Sequence, residues 1–144
     1  MSNLQVEPKL YFENVSYKLN HLIYTDFEST ENEAQITIAD SYEILNIAKK
    51  ELILNVKRYI STTPSKLFEL NIEVILNLPL NQKEKKFDGS IADLKSYVSR
   101  NVLSIINNSN AMETISLLAS QITSAYARVP VITPPVFISE DEKK

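Results

Sequence analysis

Two consecutive segments whose apolar residues recur at every second position constrain this chain more than any other feature. In residues 51–60, Leu52, Leu54, Val56 and Ile60 share one face, with Arg58 as the exception. In residues 67–76, Phe68, Leu70, Ile72, Val74 and Leu76 share one face, while Glu69, Asn71 and Glu73 take the other. A β-strand turns successive side chains to opposite faces, so strict period-two patterning marks a strand with one buried face. Ser61-Thr62-Thr63-Pro64-Ser65-Lys66 between them is short and polar, and the pair predicts an antiparallel hairpin.

The flanking sequence extends this pattern in both directions. Residues 1–8 read as a loose arm and residues 9 to about 24, rich in Tyr, Phe, Leu and Val, as an edge or early strand. After a polar connector over 28–33, residues 34–47 are strand-like through Ile36, Ile38, Tyr42, Ile44, Leu45 and Ile47, with Asp40-Ser41 read as a bend or bulge. Beyond the hairpin, residues 79–87 form a charged loop containing Lys83-Glu84-Lys85-Lys86. Asp88-Gly89 makes a turn, and Ser90 with Asp93 three residues on forms a capping-box pattern. Ile91, Leu94, Val98, Val102 and Ile105 then recur at helical spacing.

Asn107-Asn108-Ser109-Asn110 breaks that run, and Asn110 with Glu113 supplies a second N-cap signal. Met112, Ile115, Leu118, Ala119, Ile122 and Tyr126 continue at the same spacing. Strands first and helices last predict an α+β chain: a single domain over 1–144, an antiparallel four-stranded sheet with a long, broken C-terminal helix packed on one face.

At Arg128-Val129-Pro130 the helical pattern stops, because proline cannot continue a helix and pushes the residue before it out of the helical region. The extended segment Val131-Ile132-Thr133-Pro134-Pro135-Val136-Phe137 follows, carrying four large apolar side chains. It must either cover the protein's own core or wall a site for something else. The polar tail 139–144 is expected to be mobile.

Composition removes several function classes. Hydrophobic content of 44% and charged content of 23% over 144 residues suit one globular domain with a substantial core. A net charge of −3 argues against a general nucleic-acid binder, which would carry a basic stripe. No signal-peptide pattern opens the sequence, and no apolar run reaches the ~18 residues of a membrane span. With no cysteine, a cytoplasmic location is expected. The single glycine, Gly89, excludes Gly-rich phosphate loops, which need several for close backbone approach. The single histidine, His21, leaves the usual zinc and Ser-His-Asp arrangements without parts. No cofactor, no metal and no catalytic residues are expected.

Four strands, a broken helix and an apolar Pro-Pro segment in this order resemble the SecB family of protein-export chaperones. The resemblance rests on three places: the hairpin over 51–76, the helix over 91–128 with its polar break, and the ending Tyr126-Ala127-Arg128-Val129-Pro130 followed by Ile132-Thr133-Pro134-Pro135-Val136-Phe137. Family members leave the long helix into a similar Leu-or-Ile-x-Pro-Pro-Ile-or-Val segment ending in a large apolar residue. The similarity spans residues 9–137.

The resemblance implies a homotetramer, a dimer of dimers in which sheets of two subunits pair and the long helices pack at the centre. It also implies ATP-independent holding of unfolded polypeptides in long apolar grooves. It further suggests docking of the export motor SecA on an acidic surface, for which Glu69 and Glu73 on the outer face of the second hairpin strand, with Glu51 nearby, are the candidates. Family members continue with another amphipathic helix, whereas this sequence runs seven residues past Phe137, so a groove lip at 131–137 is expected to be more open.

Within that frame the apolar residues divide into three sets. Ile53, Tyr59, Leu67 and Ile75 on the outer sheet face, together with Val131, Ile132, Val136 and Phe137, are the expected client-binding residues. Tyr97, Leu103 and Ile106 lie off the main helical stripe and are expected to meet another subunit. Two functions follow: a holdase for preproteins or a dedicated client, or a structural or regulatory module that borrows the fold to bind one folded partner, such as an antitoxin-type client.

Overall fold

The computed structural model describes residues 12, 15–28, 34–48, 50–80, 90–127 and 130–138. Four antiparallel strands, β1 (Ser16–Asp26), β2 (Ala34–Ile47), β3 (Glu51–Pro64) and β4 (Phe68–Pro79), form one sheet. Its order is β1-β4-β3-β2, so the predicted hairpin is the centre and β1 and β2 are the edges. Helices α1 (Ile91–Asn108) and α2 (Ala111–Tyr126) follow, both on one face. This is the predicted α+β arrangement.

The alternation read from the sequence becomes the inner face of the sheet. Leu52, Leu54, Val56 and Ile60 on β3 and Leu70, Ile72, Val74 and Leu76 on β4 are all but fully buried. They pair in register, Leu54 with Leu76, Val56 with Val74 and Ile60 with Leu70, so each layer of the core is built from directly opposed side chains. The helices complete the core with Leu94, Val98, Ile105, Ile106, Met112, Ile115 and Ala119. Helix α2 contacts β4, while α1 reaches β2.

Element boundaries differ from expectation where tertiary pairing outweighs local signals. The first strand begins at Ser16 and not at residue 9; Phe12 makes an isolated bridge to Leu80, and the rest of 9–14 lies outside the described residues. Ser61-Thr62-Thr63-Pro64 stays in β3, paired with β2. The turn is tightened instead by Thr62, whose Oγ1 donates to the Ser65 carbonyl at 2.7 Å and accepts the Leu67 amide at 2.7 Å. Asp40-Ser41 is neither a bend nor a bulge: Asp40 pairs with Arg58 and Ser41 with Lys57 in unbroken register, and the irregularity falls between Ile44 and Asn46. Of the charged loop expected over 79–87, Pro79 ends β4 and Leu80 bridges Phe12; residues 81–87, together with the arm 1–8, residues 29–33 of the connector, the Asp88-Gly89 turn and the tail 139–144, lie outside the described residues.

Helix α1 starts as its sequence dictates. Ser90 Oγ accepts the Asp93 amide, and the Asp93 carboxylate accepts the Ser90 amide, closing a capping box. Those hydrogen bonds hold the Asp93 carboxyl below its ordinary pKa, the Ser90 backbone amide contributing most. The helix kinks at Asn101, whose side-chain amide donates to the Tyr97 carbonyl at 2.8 Å. The second N-cap is Asn110, as expected, but its side chain does not do the capping. Asn110 takes a left-handed conformation, φ 65°, without a side-chain cap, and the neighbouring Ser109 hydroxyl accepts the Ala111 amide at 3.2 Å. Asn tolerates that conformation better than most residues, which explains its use at the elbow between the helices.

Candidate functional site

After α2 the chain returns over the inner face of the sheet as an extended strap, residues 130–138. Its side chains divide. Val131, Thr133 and Phe137 are buried, whereas Ile132 is 83% exposed and Val136 45%. The segment therefore both covers the core and presents apolar surface outward.

The strap is tied down by polar contacts at nearly every turn of its path. The Val131 amide donates to Thr123 Oγ1 at 2.7 Å, and Ser116 Oγ donates to the Thr133 carbonyl at 2.7 Å. The Phe137 amide donates to Asn107 Oδ1 at 2.9 Å and the Ile138 amide to Asp40 Oδ2 at 2.8 Å. Phe137 meets Tyr42 of β2 edge-on at 5.9 Å between ring centroids.

Arg58 stands at the centre of this arrangement. The one exception in the β3 alternation points inward with its neighbours and is completely buried. Its Nε and Nη2 bind the two oxygens of Asp40, each at 2.7 Å, in a bidentate ion pair whose side chains are both buried. Nη1 donates to Thr133 Oγ1 at 2.9 Å and to the Pro134 carbonyl at 2.6 Å, and Nη2 donates to the Val136 carbonyl at 2.9 Å. All five guanidinium N–H groups are thus used, two on Asp40 and three on the strap. A buried charge is tolerated only when paired and hydrogen-bonded, and this one is.

Sequence reasoning marked both residues as breaks in a pattern and assigned neither a role. The available signal was that each stands at an inward-facing position of its strand, Asp40 between Ile38 and Tyr42, Arg58 between Val56 and Ile60. Two opposite charges at inward positions of two strands call for each other.

The eight apolar residues expected to bind clients do not share a surface. Ile53, Tyr59, Leu67 and Ile75 are half-buried on the outer face, opposite the strap. Ile53 and Ile75 are diagonal neighbours across β3 and β4, and Tyr59 and Leu67 lie toward the hairpin end. A polar band separates the two pairs: Asn20 Nδ2 donates to Asn55 Oδ1 at 3.3 Å, and Asn55 Nδ2 donates to Glu73 Oε1 at 2.9 Å. Of the other four, Val131 and Phe137 are spent on the chain's own core, which leaves Ile132 and Val136 facing outward.

The helical set divides in a similar way. Tyr97 and Ile106 are buried in the core of their own chain, and Leu103 is half-buried. The exposed large apolar residues of the helices are Leu117 and Tyr126 on α2 and Ile91 at the start of α1. From Thr114 to Tyr126 helix α2 carries no charged residue at all.

The three glutamates share the outer face without forming a cluster. Glu51 is opposite Pro79 and Glu69 opposite Ser61, ten ladder positions or about 33 Å apart. Glu69 accepts hydrogen bonds from Lys66 Nζ, at 2.7 Å, and from the Tyr59 hydroxyl. The Lys66 bond, followed by that from Tyr59, holds the Glu69 carboxyl below its usual pKa. Among the described residues no helix is long and apolar enough to cross a membrane.

No family model matches the sequence, and no curated protein matches it. The fold does have a solved counterpart. Over 87% of this chain and 86% of the other, it is similar to the Mycobacterium tuberculosis SecB-like chaperone Rv1957 in complex with a ChAD peptide from the HigA1 antitoxin Rv1956, with a TM-score of 0.57 and 8% sequence identity. A protein of unknown function from Streptococcus agalactiae aligns over 84% of this chain and 97% of its own, with a TM-score of 0.39 and 8% identity.

Proposed function

We propose, from a SecB-like fold, that this protein is an ATP-independent chaperone that holds non-native polypeptide segments against apolar surface on the strap side of the sheet. The observation that carries this reading is the orientation of Ile132 and Val136. Two large apolar side chains stand in water on a backbone that is hydrogen-bonded on both sides of them. Covering such surface contributes roughly 25 cal/mol per Å², so a few hundred Å² would give several kcal/mol before the cost of ordering the client. An extended client could add main-chain pairing along an exposed edge strand.

A dedicated client, in place of a broad range of preproteins, is the second form of the same proposal. It is favoured by the similarity to a SecB-like chaperone whose structure holds an antitoxin peptide. Assembly into a dimer of dimers belongs to the proposal as well. Leu103 remains from the residues first expected at the subunit contact, and the uncharged outer side of α2, with Leu117 and Tyr126, offers the larger apolar surface for it.

The test is light scattering of a slowly folding client diluted from denaturant. A tetramer-equivalent excess of this protein should suppress aggregation without nucleotide, and an unchanged scattering trace sinks the chaperone reading. A solution mass by static light scattering decides assembly, with a monomer as the outcome that removes the tetramer.

A further inference from the structure

An extended segment turns alternate side chains in opposite directions, so a slip of one position exchanges its buried and exposed sets. Nothing in the apolar content of the strap prevents that slip. Val131 and Phe137 face inward while Ile132 and Val136, also large and apolar, face outward. The contact of Phe137 with Tyr42 favours the observed arrangement at one end, but apolar contact is not directional and does not place the backbone between Val131 and Phe137. The register must come from groups that recognise particular backbone positions.

Asp40 and Arg58 are such groups. Together they contact the strap at Thr133, Pro134, Val136 and Ile138, on both sides of the Pro134-Pro135 pair. A guanidinium is a rigid planar fork, and with Asp40 fixing two of its nitrogens the remaining donors have one orientation. Three acceptors of the strap must then arrive at set positions. We propose that Arg58 and Asp40 are positioning residues for polypeptide binding: the pair locks residues 130–138 in the register that turns Ile132 and Val136 outward. This rests on the chaperone reading above and identifies what holds its binding surface in place.

The pair is poorly explained as a stabilising device. Replacing a buried ion pair with apolar residues of similar volume is often neutral or stabilising, because removing two charges from water is costly. What an apolar replacement cannot do is select the Thr133 hydroxyl, the Pro134 and Val136 carbonyls and the Ile138 amide. The two roles therefore separate in one variant, Asp40→Leu with Arg58→Met.

Three proteins are compared: wild type, Ile132→Ser/Val136→Ser and Asp40→Leu/Arg58→Met. Each is measured for thermal midpoint, for amide hydrogen exchange at Phe137 and Ile138, and for affinity toward reduced, carboxymethylated α-lactalbumin, a permanently unfolded chain. The Asp40→Leu/Arg58→Met protein should keep its midpoint within about 4 °C, lose protection at the two strap amides, and bind about tenfold more weakly, as the Ile132→Ser/Val136→Ser protein does. Wild-type affinity together with unprotected strap amides overturns the positioning role, as does full protection of those amides without the pair.

If Ile132→Ser/Val136→Ser weakens binding and Asp40→Leu/Arg58→Met does not, this inference falls and the chaperone reading stands. If wild type does not bind the unfolded chain, both fall. Should the double variant fail to fold, Arg58→Lys decides. It keeps the charge and the pair but loses the fork, and it should weaken binding with the sheet intact; unchanged binding overturns the role.

Discussion

Helix α2 and the strap that follows it lie over the same face of the sheet but are attached by opposite means. Helix α2 is fixed through Ala111, Met112, Ile115 and Ala119, all fully buried. The strap buries Val131 and Phe137 and is otherwise held by hydrogen bonds to Thr123, Ser116, Arg58, Asn107 and Asp40. A helix satisfies its own backbone groups and can dock through apolar contact alone. An extended segment with three prolines has no ladder of its own, so its backbone polar groups must find partners on neighbouring elements. Regular structure can be pinned by shape, whereas irregular structure over a core needs specific polar anchors.

The comparison breaks most sharply at Arg58. Arg58→Ala leaves the Asp40 carboxylate buried without its partner, and urea unfolding should show a loss of about 3–5 kcal/mol. A loss below about 1 kcal/mol would mean that water reaches the pair and that the strap is held by its apolar residues after all. On the helical side, Ile106→Ala removes a fully buried side chain from α1 and should cost about 2–5 kcal/mol, with Phe137 and Ile138 amide protection lowered no more than that of the sheet.

Thr123→Val probes the junction of the two regions. It keeps the shape and removes the acceptor of the buried Val131 amide, for an expected cost of about 1–3 kcal/mol. The loss of exchange protection should concentrate at Val131; uniform loss would show that strap and helix unfold as one unit. The smallest effect belongs to the helix start. Ser90→Ala should cost about 1 kcal/mol and flatten part of the acid dependence of stability. The Asp93 carboxyl is held below its unfolded pKa by Ser90, so its contribution is present above the unfolded carboxylate range and is lost as pH falls through the folded value. Because Ser90→Ala keeps the backbone amide that contributes most, Asp93→Asn is the control, and an acid limb unchanged in Asp93→Asn would remove that assignment.

What could be read in advance follows the same division. The hairpin, the bounds of β2 and the Ser90/Asp93 cap rest on neighbours in sequence: alternation within a strand, or a hydroxyl three residues before a carboxylate. The N-cap of α2 falls at Asn110 as its sequence indicates, but the Asn110 side chain makes no cap bond, and the Ser109 hydroxyl accepts the Ala111 amide in its place. Tyr97 and Ile106 were set aside for another subunit because their position on the helix wheel is local information. The surface that covers them is not.

The sheet and the two helices were determined by the sequence itself, because periodicity states which side chains must leave water and the hydrophobic effect is indifferent to which neighbour covers them. The strap was decided only by tertiary structure. Each of its four large apolar side chains could be buried, and the polar groups that distinguish their positions are distant: Asp40 lies 18 residues before Arg58, and the strap acceptors lie 75 to 78 residues after it. Hydrogen bonds are directional where apolar contact is not. Once the fold had placed Arg58 and Asp40 side by side beneath the returning chain, their geometry set which residues of the strap cover the core and which remain in water.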